Sequence, residues 1–302
     1  MTAARCCTFV VLLLLATNCE TAAPRTVALC FFGLTRSLRY TIDNIRHSII
    51  DPLLLSDVEV TVYLHTYNST SVTNRRSAED GATMDWTAYT LLQPHEWQVD
   101  DAAAVSRELI DANLKAWLRH GDAWGGETAE HTTLRNFLKQ LYSLKQVTNM
   151  WLPEASRFDI VLYLRSDVWF FNQLSVPELD EAMQHPDRLY TPMFHQWGGL
   201  NDRLAFGTPA VMSVYGSRLD AALKFAQQEP VHAEHLLLDV ATQAGLDITG
   251  QTHLLFERVR ATGELWGIPS GKAVSGDDNI FQFRPGLRVQ HDQFGKVEFV
   301  PL

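Results

Sequence analysis

The chain has 302 residues, 46% of them hydrophobic and 20% charged, proportions of a globular protein that exclude disorder over most of its length. Its 17 glycines and 12 prolines are too few for a collagen-like or low-complexity sequence. With 25 Lys and Arg against 35 Asp and Glu, the net charge of −10 argues against nucleic-acid binding through phosphate neutralisation, whereas one or two well-placed arginines still suffice for a small phosphate.

The N-terminus reads as a targeting segment. Arg5 precedes an apolar stretch from Cys6 to Ala16, and Thr17 to Ala23 ends in small residues, the pattern of a secretory signal peptide over residues 1–23. The apolar run is shorter than the about 20 residues that a spanning helix needs; an uncleaved signal anchor is the alternative. Residues 24–302 form the remaining domain, and of the cysteines only Cys30 belongs to it. An internal disulfide is thus not expected, although the route leads to an oxidising compartment, the Golgi lumen or the exterior. Asn68-Ser69-Thr70 is a glycosylation sequon that fits that route.

Val27 to Phe32 (VALCFF) is a continuous apolar run, the mark of a strand covered on both faces. Gly33-Leu34-Thr35-Arg36-Ser37 follows. Ile42, Ile45, Ile49 and Ile50 then recur at helical spacing, and Pro52 is expected to close that helix. Val58 to Tyr67 reads as a second strand, parallel to the first in a βαβ unit. No clear pattern emerges over Asn68–Ala104. Helices are expected over Val105–Arg119 and Thr132–Trp151, separated by a Gly-rich loop, Gly121–Glu130. The second helix presents Leu134, Phe137, Leu138, Leu141, Leu144 and Val147 on one face.

Ile160 to Leu164 is another buried strand, broken by Arg165-Ser166-Asp167 and resumed by Val168 to Phe171. Leu189–Pro192 and the end of Asn201–Gly207 read as short strands. Gly216–Gln228 and Glu234–Ala244 read as helices, and the chain after Ser275 as loop and short strand. The alternation predicts one α/β domain with an open, mostly parallel sheet flanked by helices. In such sheets ligands bind beyond the C-terminal ends of the strands, where the two polar insertions, Gly33–Ser37 and Arg165–Asp167, both fall.

At the first insertion, Gly33 permits close backbone approach, the helix start behind it offers free N–H groups, and Arg36 supplies a charge for a phosphate; a plain βα turn is the alternative. At the second, buried charge must be paired or must coordinate something, so Arg165 and Asp167 are either a structural pair or a ligand site. Hard carboxylate oxygen would suit Mg²⁺ or Mn²⁺.

Here the sequence resembles a family. A strand followed by an acid is similar to the Asp-x-Asp region of nucleotide-sugar glycosyltransferases with the GT-A fold. VALCFFGLTRSL resembles their N-terminal nucleotide-binding strand and loop, VTVYLHTYN the next strand, and NDRLAFGTPAVMSVYGSRL a segment after the acceptor loop. The resemblance runs from Val27 to about Gly245 and is strongest to glycosyltransferase-like proteins with Arg-x-Asp at this place. It implies a GT-A-like, Rossmann-like fold and transfer of a sugar from a nucleotide-sugar donor to a glycan or protein hydroxyl. The first acid of the motif falls on Arg165, and Asp167 alone is kept. In the family the acids hold Mn²⁺ or Mg²⁺ against the donor diphosphate; Arg165 puts that metal in doubt, because a guanidinium can take over part of its charge.

By the same resemblance, Gly33, Thr35 and Arg36 would hold the nucleotide, and Arg165 and Asp167 would face the diphosphate, Asp167 with or without the metal. Asn201, Asp202 and Arg203 would orient the sugars, unless Asn-Asp is simple turn chemistry. Trp197, on the Gly-flanked loop His195–Gly199, is either a sugar-stacking surface or core. Glu234 is the best single candidate for the general base that an inverting transferase needs, with Asp202 beside it; a helix first-turn acid is the plain alternative. His232 and His235 lack H-E-x-x-H spacing. Asp277-Asp278-Asn279 reads as a surface turn that could also supply a metal ligand. Two other functions compete: a sulfotransferase, which would also use an N-terminal strand, loop and helix, and a glycan-binding protein that kept the fold and lost turnover.

Overall fold

A computed structural model describes residues 25–74, 79–125, 130–265, 287–291 and 297–301. The expected signal segment and Asp277–Asn279 lie outside the described residues. The strands are β1 (Thr26–Phe32), β2 (Glu59–Tyr67), β3 (Ser71–Asn74), β4 (Glu79–Thr83), β5 (Glu96–Asp100), β6 (Ile160–Arg165), β7 (Val168–Phe170), β8 (Arg188–Pro192), β9 (Leu204–Gly207), β10 (Asp247–Thr252), β11 (Phe256–Arg258), β12 (Leu287–His291) and β13 (Val297–Pro301).

Seven of them make the central sheet, in the order β10-β8-β9-β6-β1-β2-β5. β1 pairs in parallel with β2 and β6, β2 with β5, and β10 with β8; β9 alone runs against its neighbours β6 and β8. The sheet is open, mostly parallel and covered by helices on both faces, as expected of a GT-A-like, Rossmann-like α/β domain. β3 with β4, β7 with β11 and β12 with β13 form small separate pairs.

Two cores explain the continuous apolar runs. Val27, Leu29 and Phe31 of β1, with Ile160, Leu162 and Leu164 of β6, point into one core with Leu38, Ile42, Ile45, Ile49 and Leu53. Ala28, Cys30 and Phe32, with Val161 and Tyr163, point into the other with Leu144, Val147 and Trp151 of the helix Thr132–Trp151. Since alternate side chains leave a strand on opposite faces, a strand buried on both must be apolar at every position. Cys30 is a buried free thiol.

Two helix expectations are corrected. Pro52 does not close the first helix: Leu38–Ile45 passes through a π turn, Arg46–Ile50, into Asp51–Leu55. Pro52 sits at the start of that last segment, where its missing N–H costs little. The helix expected over Gly216–Gln228 is instead two, Pro209–Gly216 and Leu219–Phe225. Gly216 is the last residue of the first, and Thr148 and Tyr163 leave no room for a side chain there: a Cβ would stand 2.1 Å from Thr148 Oγ1. Val105–Arg119 is likewise only partly regular, a chain of short helical turns. Among the described residues no helix is long and apolar enough to cross a membrane.

Candidate functional site

The two polar insertions meet. In the β1–β6 register Phe32 stands opposite Arg165, so the residues after both strands leave the sheet side by side. Gly33 makes the turn with a positive φ of 94°, a conformation costly for other residues, and open space lies where a Cβ would be. Ser166 Oγ donates to Leu34 O at 3.1 Å, and Thr41 Oγ1 to Ser166 O at 2.7 Å. Because β9 is antiparallel, its start reaches this edge, and Arg165 N donates to Arg203 O at 3.3 Å. β11 pairs with β7, Arg258 opposite Val168, and Val259 N donates to Asp167 O at 2.8 Å.

A line of charge runs along this edge. Asp167 Oδ1 accepts Arg165 Nε at 2.7 Å; Oδ2 accepts Arg165 Nη2 at 2.6 Å and Arg36 Nε at 3.0 Å. Arg36 Nη1 continues to Glu79 Oε2 at 2.8 Å. On the other side Arg165 Nη1 donates to Gln140 Oε1, and Gln140 Nε2 donates to Asp202 Oδ2 at 2.8 Å. Arg203 Nη2 lies 3.1 Å from Glu234 Oε1, and His232 Nδ1 3.3 Å from Glu234 Oε2. Burial opposes the Asp167 charge, but the guanidinium groups of Arg165 and Arg36 hold its carboxyl far below the usual range. Burial, then the charge of Asp202, pushes Glu234 up to about 7 despite Arg203.

A second network adjoins the first. His65 is fully buried; its Nδ1 lies 2.8 Å from Ser143 Oγ and its Nε2 3.3 Å from Asp100 Oδ2. Ser143 Oγ also accepts Gly33 N at 2.7 Å, and Tyr142 OH donates to Asp100 Oδ2 at 2.9 Å. Burial lowers His65 to about 4 against the pull of Asp100, so the ring is neutral at pH 7. Buried and fully engaged, Ser143 is placed to pin the Gly33 turn.

The geometry changes several expected roles. Arg36 is buried and spent on Asp167 and Glu79, so it braces the site and offers no face to a phosphate. Thr35 is buried as well, its Oγ1 turned to Trp86 O at 3.3 Å. Asn201 is wholly buried and acts as a turn residue: Oδ1 accepts Arg203 N at 3.0 Å and Nδ2 donates to Phe194 O at 2.7 Å. Asp202 is buried on Gln140, with Arg218 Nη2 3.9 Å away, so neither residue is free to orient a sugar. Trp197 is not core: it is 52% exposed, at a φ of 45°, stacked on His195 at 11° between planes. Its loop is strapped onto the next helix, with Leu200 N on Glu234 O at 3.1 Å. Glu234 sits under that strap in the first turn of the helix Ala233–Gln243. Arg165 and Arg203 keep partial exposure, at 18% and 15% of their side chains. Asn68 is exposed just after β2.

The residues present do not fit a divalent cation at Asp167. A metal needs free carboxylate oxygens; Oδ2 already accepts three guanidinium bonds and Oδ1 one. Among the described residues no group of three or more His, Cys, Asp and Glu is placed to hold a metal ion. Asp167, expected as a metal ligand, anchors Arg165 and Arg36 here.

Glu79, Gln140 and Arg258 escaped the sequence reading. Gln140 hides on the polar flank of a strongly patterned helix, and Glu79 in a stretch with no periodicity. Arg258 ends β11 and Arg260 follows two residues on, an alternation visible in ERVR but mute until the pairing with β7 is known.

No protein-family model matches the sequence, and no curated protein does. Among solved structures the chain is similar to the apo crystal structure of mouse xyloside xylosyltransferase 1, at 12% identity over 74% of this chain and 82% of that one, with a TM-score of 0.35.

Proposed function

We propose that the protein is a glycosyltransferase of the secretory pathway, moving a sugar from a nucleotide-sugar donor to a hydroxyl of a glycan or protein. The observation that supports this best is the charged line at the C-terminal edge of β1 and β6, where an open α/β sheet binds its ligands. The nucleotide would lie across Gly33, where the backbone is bare. The diphosphate would meet Arg165 and Arg203, the guanidinium groups with open edges. Asp167 and Arg36 hold Arg165 in place. Trp197 offers an exposed indole for a sugar face. Glu234, with its raised proton affinity, would take the acceptor hydroxyl proton, which requires movement of the strap above it. Such chemistry rests on positioning and on stabilising the leaving diphosphate.

The test is a transfer assay with UDP-, GDP- and CMP-sugars and mixed glycan acceptors, read as nucleotide release. Wild type should turn over one donor class, and Glu234→Gln should lose about 10²–10⁴-fold in kcat with donor affinity kept. The closed state of Asp167 favours one competing reading, a glycan-binding protein without turnover. Donor binding with no release under any acceptor would move the reading there.

A further inference from the structure

Most guanidinium groups of the site lean on an acid. Arg36 is shared between Asp167 and Glu79, Arg165 leans on Asp167, and Arg203 leans on Glu234. Arg258 is different. The β7–β11 pairing places it at the Asp167 end of the line, half-buried, and among the described residues its side chain forms no ion pair with an Asp or Glu. Its neighbours are mostly cations: after burial, the charges of Arg203, Arg165 and Arg260 push its guanidinium well below its ordinary proton affinity against the pull of Asp167. A protein gains nothing in stability from such an arrangement. An incoming anion relieves it, because a guanidinium fork matches the oxygens of a phosphate in pairs.

We infer that Arg258, with Arg165 and Arg203, forms a diphosphate-binding site that works without a divalent cation, the guanidinium groups standing where a metal would otherwise neutralise the anion. Asp167 is the internal strut of this site and not a ligand. The inference rests on the proposed transferase reading for its physiological ligand, the diphosphate of a nucleotide sugar, but the anion site itself is separable from it.

The experiment is calorimetric titration of the purified protein with inorganic pyrophosphate, in EDTA and again with Mn²⁺. Pyrophosphate should bind in EDTA, and Mn²⁺ should not tighten it. Arg258→Gln should weaken binding roughly 10-fold or more, the scale of a lost charge-assisted hydrogen bond. Arg258→Lys, which keeps the charge without the fork, should fall between. Thermal unfolding without pyrophosphate guards against a structural explanation: relieving like-charge repulsion should leave the midpoint of Arg258→Gln unchanged or raised. Binding that requires Mn²⁺, or wild-type affinity in Arg258→Gln, overturns the inference. Pyrophosphate binding in EDTA with no turnover of any nucleotide sugar keeps the anion site and removes the transferase. Turnover strictly dependent on Mn²⁺ does the reverse.

Discussion

The sheet edge carries two buried networks that differ in kind. Around Asp167 the links are mostly ionic, each of Asp167 and Glu79 answered by a guanidinium, with Gln140 as a neutral bridge from Arg165 to Asp202. Around His65 the central ring is neutral, and its neighbours are hydroxyls and one carboxylate. The neutral network holds backbone: Ser143 bonds Gly33 N and also donates to His65 O at 3.0 Å. The ionic network holds charge in position and leaves Arg165 and Arg203 partly open. One fixes the shape of the turn after β1, and the other fixes the charged side chains beside that turn. Removing an ion from the first should therefore cost more than removing a hydroxyl from the second.

The largest effect is expected of Asp167→Asn. It leaves the Arg36 and Arg165 guanidinium groups buried without their shared carboxylate, and should destabilise the fold by about 3–5 kcal/mol in chemical denaturation. A loss below about 1 kcal/mol would mean that the cluster is solvated like a surface pair.

The two networks should also answer pH with opposite sign, each on the order of a few kcal/mol. His65 titrates near 6.5 unfolded and about 4 folded, so the unfolded chain binds the proton first, and stability is lost as pH falls through that window. Glu234 titrates near 4.5 unfolded and about 7 folded; here the folded chain holds the proton longer, and stability is lost as pH rises from 4.5 to 7. Denaturation midpoints against pH should lose the acid slope in His65→Gln and the neutral-range slope in Glu234→Gln. Identical slopes in variant and parent would remove the assignments.

Ser143→Ala comes next, at about 1–3 kcal/mol, because Gly33 N–H loses its acceptor in a buried setting. Amide hydrogen exchange at Gly33 should rise in that variant and stay slow in the parent. The smallest effect is expected far from both networks, at the surface pair Arg25–Asp180, whose side chains are 33% and 42% exposed. Asp180→Asn should change stability by about 0–1 kcal/mol.

Much of the fold was legible because burial on two faces writes itself into sequence. VALCFF and IVLYL admit only a doubly covered strand, and the stripe Leu134–Val147 only a helix on the core. That Gly33–Ser37 and Arg165–Asp167 share one sheet edge followed from strand direction; that they meet required β1 and β6 to be neighbours. Pro52 misled, because it sits at the start of the segment that follows the π turn, where a missing N–H costs little. Roles within the site were less legible. Arg36 and Asp167 are far apart in the chain, and only their contact shows that each uses up the other. The Asn201-Asp202 pair looks alike as a turn and as a sugar contact until its partners, Phe194 O and Gln140, are known.

The most direct test is a thermal-shift screen of UDP-, GDP- and CMP-sugars on the wild-type protein and on Arg203→Gln. The account predicts stabilisation by one donor class, about 2.7 kcal/mol at 100 times its Kd, and a much weaker shift in Arg203→Gln at the same concentration. No shift with any donor, or an equal shift in Arg203→Gln, would contradict a donor diphosphate at this edge of the sheet.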